Sequence, residues 1–470
     1  MAAVVTPFPS GPTQHKTSAS TFPADRKERY AAGKALRQHV AREQHGEWRP
    51  ARNRRDPVDL VIQSSKGRIP ALIPIRNGRM MVSPFTFYRG TANIMAADLA
   101  RTPASGLQAQ LCGDAHLLNF GGFATPERNL VLDINDFDET LPGPWEWDLK
   151  RLVTSFVFAA RSNGFSTADQ REAALSCVRS YRERMLEYAD MTVLEIWYAR
   201  LGFSETLAAI HRKAARRRLK KQIEKAEARQ VPEHEFPKLV AARRGHYLIK
   251  DAPPLIYHDP HVVASGEAIQ RALALYRESL SDSRRVLLDR YKVMDFALKV
   301  VGVGSVGTLC AVALLMAAGD DPLFIQIKEA GPSVLDSYLG KSAFPNHGQR
   351  VVVGQHLMQA ASDIFLGWTH AEGKRHFYLR QLRDMKVKPL LELFKPVSLF
   401  DYATLCGWTL ARAHARSGNP AMMAGYMGKS DVFDKALAAF SKSYADQTER
   451  DHAAFKNAIR QGRVEVQAEA

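Results

Sequence analysis

Residues 112–139 read CGDAHLLNFGGFATPERNLVLDINDFDE and gather six acidic side chains, one His and three Asn among Gly and strand-forming apolar residues. Asp114 is followed five positions later by Asn119 and, beyond a turn, by Asp136. A carboxylate at the first position can orient an attacking hydroxyl and accept its proton. An amide oxygen and a second carboxylate offer the hard oxygen donors that Mg²⁺ prefers. A surface turn whose Asp and Asn side chains bind backbone is the simpler reading. So many carboxylates repel one another, however, unless a cation or basic groups compensate.

A hairpin brings Asn119 and Asp136 toward one metal: LLNFGGFA and LVLDIND read as strands, joined by the turn TPERN. On that reading Asp138 shares a strand face with Asp136, while Asp133 lies on the opposite face. The order D-x-x-x-x-N, hairpin, Asp is the one in which kinase-fold phosphotransferases place base, metal amide and metal carboxylate.

A second stretch could meet phosphates. Gly302, Gly304 and Gly307 form G-x-G-x-x-G, with Ser305 inside it, after FALKVV, and LFIQIKEA ends near Lys328. Backbone N–H groups of such glycines approach phosphate oxygens closely, and a Lys on a neighbouring strand can bridge two phosphates. A Rossmann unit competes for the same residues, with Glu329 as the ribose-binding acid. Residues 308–317 discriminate: strand favours the phosphate cover of a kinase, helix favours the dinucleotide fold. No Glu is evident to pair with Lys328, since the helix GQRVVVGQHLMQAASDIF offers Gln355 and Asp363 instead.

The elements that must carry these residues follow from pattern. PGPWEWDLKRLVTSFVFAARSNG predicts an amphipathic helix ending at Asn163-Gly164, and helices dominate to about 290. Residues 57–110 hold short apolar pieces and then a helix, TANIMAADLAR. HFYLRQLR reads as strand, and helices resume to the end. The basic run HRKAARRRLKKQIEKAEARQ lacks interleaved aromatics, so a solvated helix face is preferred to a nucleic-acid surface. Trp145 and Trp147 are expected in the core. Arg68, Arg76 and Arg89 precede the hairpin and could bind substrate phosphate, though pairing with its acids is the readier expectation.

The 470 residues are 46% hydrophobic and 24% charged, with a formal charge of +16 that suits anionic partners. Four separated cysteines without a CxxC pair suggest free thiols rather than zinc or disulfides. No apolar run reaches the roughly 18 residues of a spanning helix, and the start lacks the order of a secretory signal, so a cytoplasmic protein is expected. GDxH also occurs in metallophosphoesterases, but the further Asn-His cluster they need is missing from PNHGQ at 345–349.

CGDAHLLN, NDF and PGPWEWDLKRL resemble, in order, the catalytic block of aminoglycoside and choline phosphotransferases. With RMMVSPFTFYRGTANIMAADLA and the span 56–400, the chain looks like a member of the bacterial family domain-of-unknown-function 2252, grouped with protein-kinase-like proteins. The resemblance implies Asp114 as base, Asn119 and Asp136 as metal ligands, Asp148 as a structural carboxylate, and supporting places for His116, Asp133 and Asp138. Cys112 departs from it, standing where the kinase motif has His. The glycine motif follows the catalytic block instead of preceding it, so the expectation is an α+β, kinase-like two-lobe fold in circularly permuted order. It comprises a mobile basic segment (1–55), a helical lobe (56–290), a strand lobe with the glycines and Lys328 (291–390) and C-terminal helices (391–470). The expected ligands are ATP and Mg²⁺, the expected reaction phosphoryl transfer to a small-molecule or protein hydroxyl, with nucleotidyl transfer as a variant. A nucleotide-binding module without turnover is the alternative, besides the dinucleotide binder.

Overall fold

The computed structural model describes residues 25–467 except 228–235, 244–245, 254, 260–265, 301, 303, 305, 319–320, 372–374 and 383–384. It is a mixed α+β architecture in which a six-stranded antiparallel sheet sits against a larger helical body.

Two short ladders lie in the helical body: β1 (Gln108–Leu111) pairs with β4 (Leu141–Pro144), and β2 (Phe120–Ala124) pairs with β3 (Leu130–Ile134). Around them pack the helices Trp145–Ser162, Thr167–Asp190, Pro396–Ala415 and Val432–Arg460. Trp145 is fully buried and stacks on Tyr181, and Trp147 is buried as well. Asn163 ends its helix, and Gly164 follows at φ 69°, in the left-handed region that helix termini require.

Further on, β5 (Val240–Arg243) and β6 (His246–Ile249) make a hairpin. The large sheet contains β7 (Ile256–Tyr257), β8 (Lys292–Lys299), β9 (Cys310–Met316), β10 (Pro322–Ala330), β11 (Gly367–Ala371) and β12 (Arg375–Gln381), in the order β11-β12-β10-β9-β8-β7. CAVALLM in β9 is buried along its whole length, which explains its unbroken apolar run: both faces of the sheet are covered. On one side Tyr276 and Leu280 pack against Leu323, Ile325 and Phe365. On the other, Val312, Leu314 and Phe324 form a second cluster with Val240 and Ile249.

Residues 310–316 are therefore strand, paired antiparallel on both sides, and the strand–glycine turn–helix unit of a dinucleotide fold is not formed. Glu329, the acid that fold would need, spends Oε2 on the backbone N–H of Leu309 at 2.8 Å and so braces the glycine turn.

Several expectations need correction. Ordered structure begins before 56: the helix Arg26–Ala35, capped by Asp25, packs on the helix Pro420–Met427. Arg54 bonds both Asp98 and Asp451, so residues 25–55 belong to the folded body, not to a mobile segment. The apolar pieces between 57 and 90, whose element type the sequence leaves open, are helices, Pro57–Ser64, Ile73–Met81 and Pro84–Gly90, because each buries one face against neighbours; TANIMAADLAR is a helix as expected, over Ala92–Leu99. The sheet half extends N-terminally past 291, since β7 joins the sheet and the helix Gly266–Ser279 packs on β11. In the carboxylate block, residues 117–119 form a 3₁₀ turn, and β3 stops at Ile134. Asp136 and Asp138 thus lie on the loop after the strand and share no strand face. Among the described residues no helix is long and apolar enough to cross a membrane.

Candidate functional site

The loop entering the carboxylate block is fixed from below. Gly113 has φ 82°, and a Cβ there would fall 2.2 Å from the Glu139 carbonyl oxygen, so the turn needs glycine. Asp148, on the first turn of the helix Trp145–Ser162, accepts the backbone N–H groups of Cys112 and Gly113 at 2.7 and 3.0 Å. His414 approaches the same carboxylate at 3.3 Å. The Cys112 side chain is buried, and burial together with Asp148 pushes its thiol well up; all four cysteines are buried and free.

The helix Pro396–Ala415 reaches the block from nearly 300 residues away. Tyr402 donates to the carbonyls of Leu117 and Phe120 at 2.7 and 2.9 Å, and Arg412 pairs with Asp133. Asp133 is fully buried and also accepts the Ala360 N–H at 2.8 Å, so it is spent on structure.

On this base a cavity of about 260 Å³ opens between the block and the sheet. Asp114, His116, Asn119 and Asp136 line it from one side, Gly302, Gly304, Gln326 and Lys328 from the other. Lys328 Nζ lies 2.7 Å from Asp138 Oδ2 and 4.0 Å from Asp136 Oδ1, across 190 residues of sequence. Tyr378, the cross-strand neighbour of Lys328, donates to the other Asp138 oxygen at 2.6 Å. Burial alone would raise Asp138, but the Lys328 charge and these two hydrogen bonds hold it at about 2. Burial and the adjacent Asp138 charge push Asp136 up, against the opposing pull of Lys328.

Asn119 Nδ2 donates to the Asp114 carbonyl at 2.8 Å, which leaves its amide oxygen as the atom offered to a cation. Asp114 Oδ1 accepts Arg151 Nε at 2.6 Å, and Oδ2 stands 4.0 Å from His116 Nε2. His116 is buried, and burial pushes it down to about 3, so it is a neutral ring. Arg151 was not legible as a site residue; its place on the helix three residues after Asp148 is the only signal, and its aim depends on Tyr88, whose carbonyl and ring hold it.

Gly302 and Gly304 have open space where a side chain would begin, the nearest atom to either being the Arg89 carbonyl oxygen at 3.9 Å from Gly304. Gly307 differs: at φ 89° its Cβ direction meets Arg68, and its carbonyl accepts the Ile69 N–H at 2.7 Å. Ser305 lies outside the described residues.

The partner of Lys328 is thus Asp138 from the carboxylate loop, and neither Gln355 nor Asp363 meets it. Gln355 bonds Gln359, and Asp363 accepts the backbone N–H groups of Phe365 and Gln381. The arginines do not pair with the hairpin acids as expected. Arg68 donates to the carbonyls of Ser64 and Val306, and Arg76 to that of Gly90. Arg89 lines the cavity with its Nε buried and unpartnered.

Beyond β12, Val387 exchanges two backbone hydrogen bonds with Gly122 of β2, at 2.8 and 2.9 Å, and Lys388 joins the cavity wall. The sheet and the block are clamped there as well as at Lys328. A second cavity of about 780 Å³ adjoins the first and shares Asn135, Arg380 and Lys386 with it.

Among the described residues no three His, Cys, Asp or Glu side chains stand together as a metal cage. The donors offered are Asn119 and Asp136, a set of hard oxygens that suits Mg²⁺ shared with phosphates and water and does not suit zinc.

Residues 68–458 match a family described as "Uncharacterized protein conserved in bacteria (DUF2252)". No curated protein and no solved structure matches the chain.

Proposed function

The chain belongs to that bacterial family, and from this premise and the geometry of the cleft we propose that it is a magnesium- and ATP-dependent phosphotransferase of kinase-like, circularly permuted fold. The observation that carries the reading is the meeting of Lys328 with the Asp136–Asp138 loop under a glycine turn. The order of parts within the sheet half supports it: a glycine turn joins β8 to β9, the Lys lies on the next strand, and the helix His347–Met358 follows before β11 and β12. That is the sequence of parts with which kinases cover and anchor nucleotide phosphates.

Asn119 and Asp136 are the residues that would hold magnesium, which when bound neutralises charge on the phosphates. Gly302 and Gly304 cover the phosphates, and Lys328 exchanges its Asp138 contact for phosphate oxygens. Asp114 orients the acceptor hydroxyl through Oδ2, the oxygen not engaged by Arg151, and takes its proton. The acceptor oxygen forms the new bond to phosphorus, the bond to the ADP oxygen breaks, and the electron pair leaves with ADP.

A binder without turnover is the second reading, favoured by two observations: Lys328 has a loop Asp rather than a helix Glu as partner, and Arg151 engages one oxygen of Asp114. Mass spectrometry after incubation with Mg-ATP and bacterial extract separates them. Turnover adds phosphate to an acceptor and is lost in Asp114→Asn, which still binds ATP. Binding without phosphorylated or adenylylated product leaves the second reading.

A further inference from the structure

Among the arginines lining or flanking the cavity, one is left unspent by the fold, whereas the uncommitted Lys386 and Lys388 stand on its exposed rim. Arg89 closes the helix Pro84–Gly90 and lines the cavity with Asp114, His116 and Asp136. Among the described residues its guanidinium forms no hydrogen bond or ion pair, and its Nε is buried without a partner. The nearby arginines are spent. Arg68 holds the carbonyl before Gly307, Arg76 holds the Arg89–Thr91 turn through Gly90, and Arg151 holds Asp114 and the Tyr88 carbonyl. Only Nε is buried without a partner, and a half-buried guanidinium that lines a cavity and pairs with nothing is open to a ligand anion. His116, buried in the same wall, also leaves Nδ1 unpartnered.

Position narrows the anion. Arg89 shares the cavity wall with Asp114, where an acceptor would be oriented, and its carbonyl faces the side-chain direction of Gly304. Its charge is felt by Asp114 and Asp136 together. We propose that Arg89 binds the phosphoryl group in transit, the terminal phosphate of ATP, and stabilises the charge on its three non-bridging oxygens as the bond to ADP breaks and the bond to the acceptor forms. This rests on the phosphotransferase reading. A planar guanidinium with a fork of donors suits that group better than an ammonium would.

Calorimetric titration of Mg-ATP and Mg-ADP into wild type, Arg89→Gln and Arg89→Lys tests it. The expected result is an ATP affinity at least about 10-fold weaker in Arg89→Gln, with ADP affinity changed by less than about 2-fold. Arg89→Lys should fall between, and Arg89→Gln should unfold at no lower temperature than wild type, since the lost charge had no partner. The inference is overturned if ATP and ADP weaken together, if neither weakens, or if Arg89→Gln is destabilised. It is also overturned if only the acceptor KM rises, which would assign Arg89 to an anion on the acceptor. Wild type binding neither nucleotide would instead remove the phosphotransferase reading, and this inference with it.

Discussion

Lys328 is 4% exposed and balanced by Asp136 and Asp138, so removing its charge takes the nearest cation from two neighbouring carboxylates and leaves them only Arg380 and the Tyr378 hydroxyl. Lys328→Met is expected to lower unfolding free energy by about 3–5 kcal/mol, measured by urea denaturation without ligand. Retention of wild-type stability would mean that the pair is not formed. Glu139, next on the same loop, gives a pH signature. Burial pushes its carboxyl up to about 7, although the Val334 N–H and Arg350 oppose this. A carboxyl raised on folding contributes stability that is present below its unfolded value and lost as pH rises through the folded one. Wild type should therefore lose stability between about pH 4.5 and 7, by at most about 3 kcal/mol, and Glu139→Gln should flatten that stretch of the profile. The residues with local spacing, Asp114, Asn119 and Asp136, were legible in the sequence because five positions and one hairpin suffice to bring them together. Asp138 as the Lys328 partner, Arg151 beside Asp114 and Arg89 unpaired were not, because each depends on packing between segments far apart in the chain.

At the scale of elements, the glycine turn separates fold from function. Gly307→Ala must adopt a positive φ and meet Arg68 at 3.0 Å, so a loss of about 1–2 kcal/mol in stability is expected. Gly304→Ala has room and a stability near wild type is expected, while ATP affinity falls because the cover sits farther from the phosphates. Equal effects of the two substitutions on stability would contradict this division. The turn was readable as a motif, but whether strand or helix followed it was not, since CAVALLM is apolar enough for either; burial on both faces of a sheet decides it. The helices between 57 and 90 were not legible for the same reason, their apolar pieces being too short to show a period, whereas the helix Ala92–Leu99 was.

Over the whole molecule, the parts that meet in the cleft come from segments 190 residues apart in the chain, and the helical body is closed by contacts between its N-terminal and C-terminal segments. Arg54 joins Asp98 to Asp451, and Tyr444 donates to Asp98 at 2.9 Å. Arg54→Ala, which leaves two buried carboxylates facing each other, should cost about 3–5 kcal/mol in a denaturant titration; an effect below about 0.5 kcal/mol would return residues 25–55 to the role of a loose appendage. That the glycine turn follows the carboxylate block in the chain was legible in the sequence. The extent of the sheet half was not, because β7 and the helix Gly266–Ser279 join it only through long-range pairing. The central claim is that one triphosphate is gripped from both walls of the cleft, and thermal shift tests it most directly, with ATP, NAD or no ligand, with and without Mg²⁺, on wild type and Asp136→Ala. The account predicts a magnesium-dependent ATP shift in wild type that disappears in the variant, with no response to NAD. A shift with NAD alone, or an ATP shift that ignores both magnesium and the substitution, would contradict it.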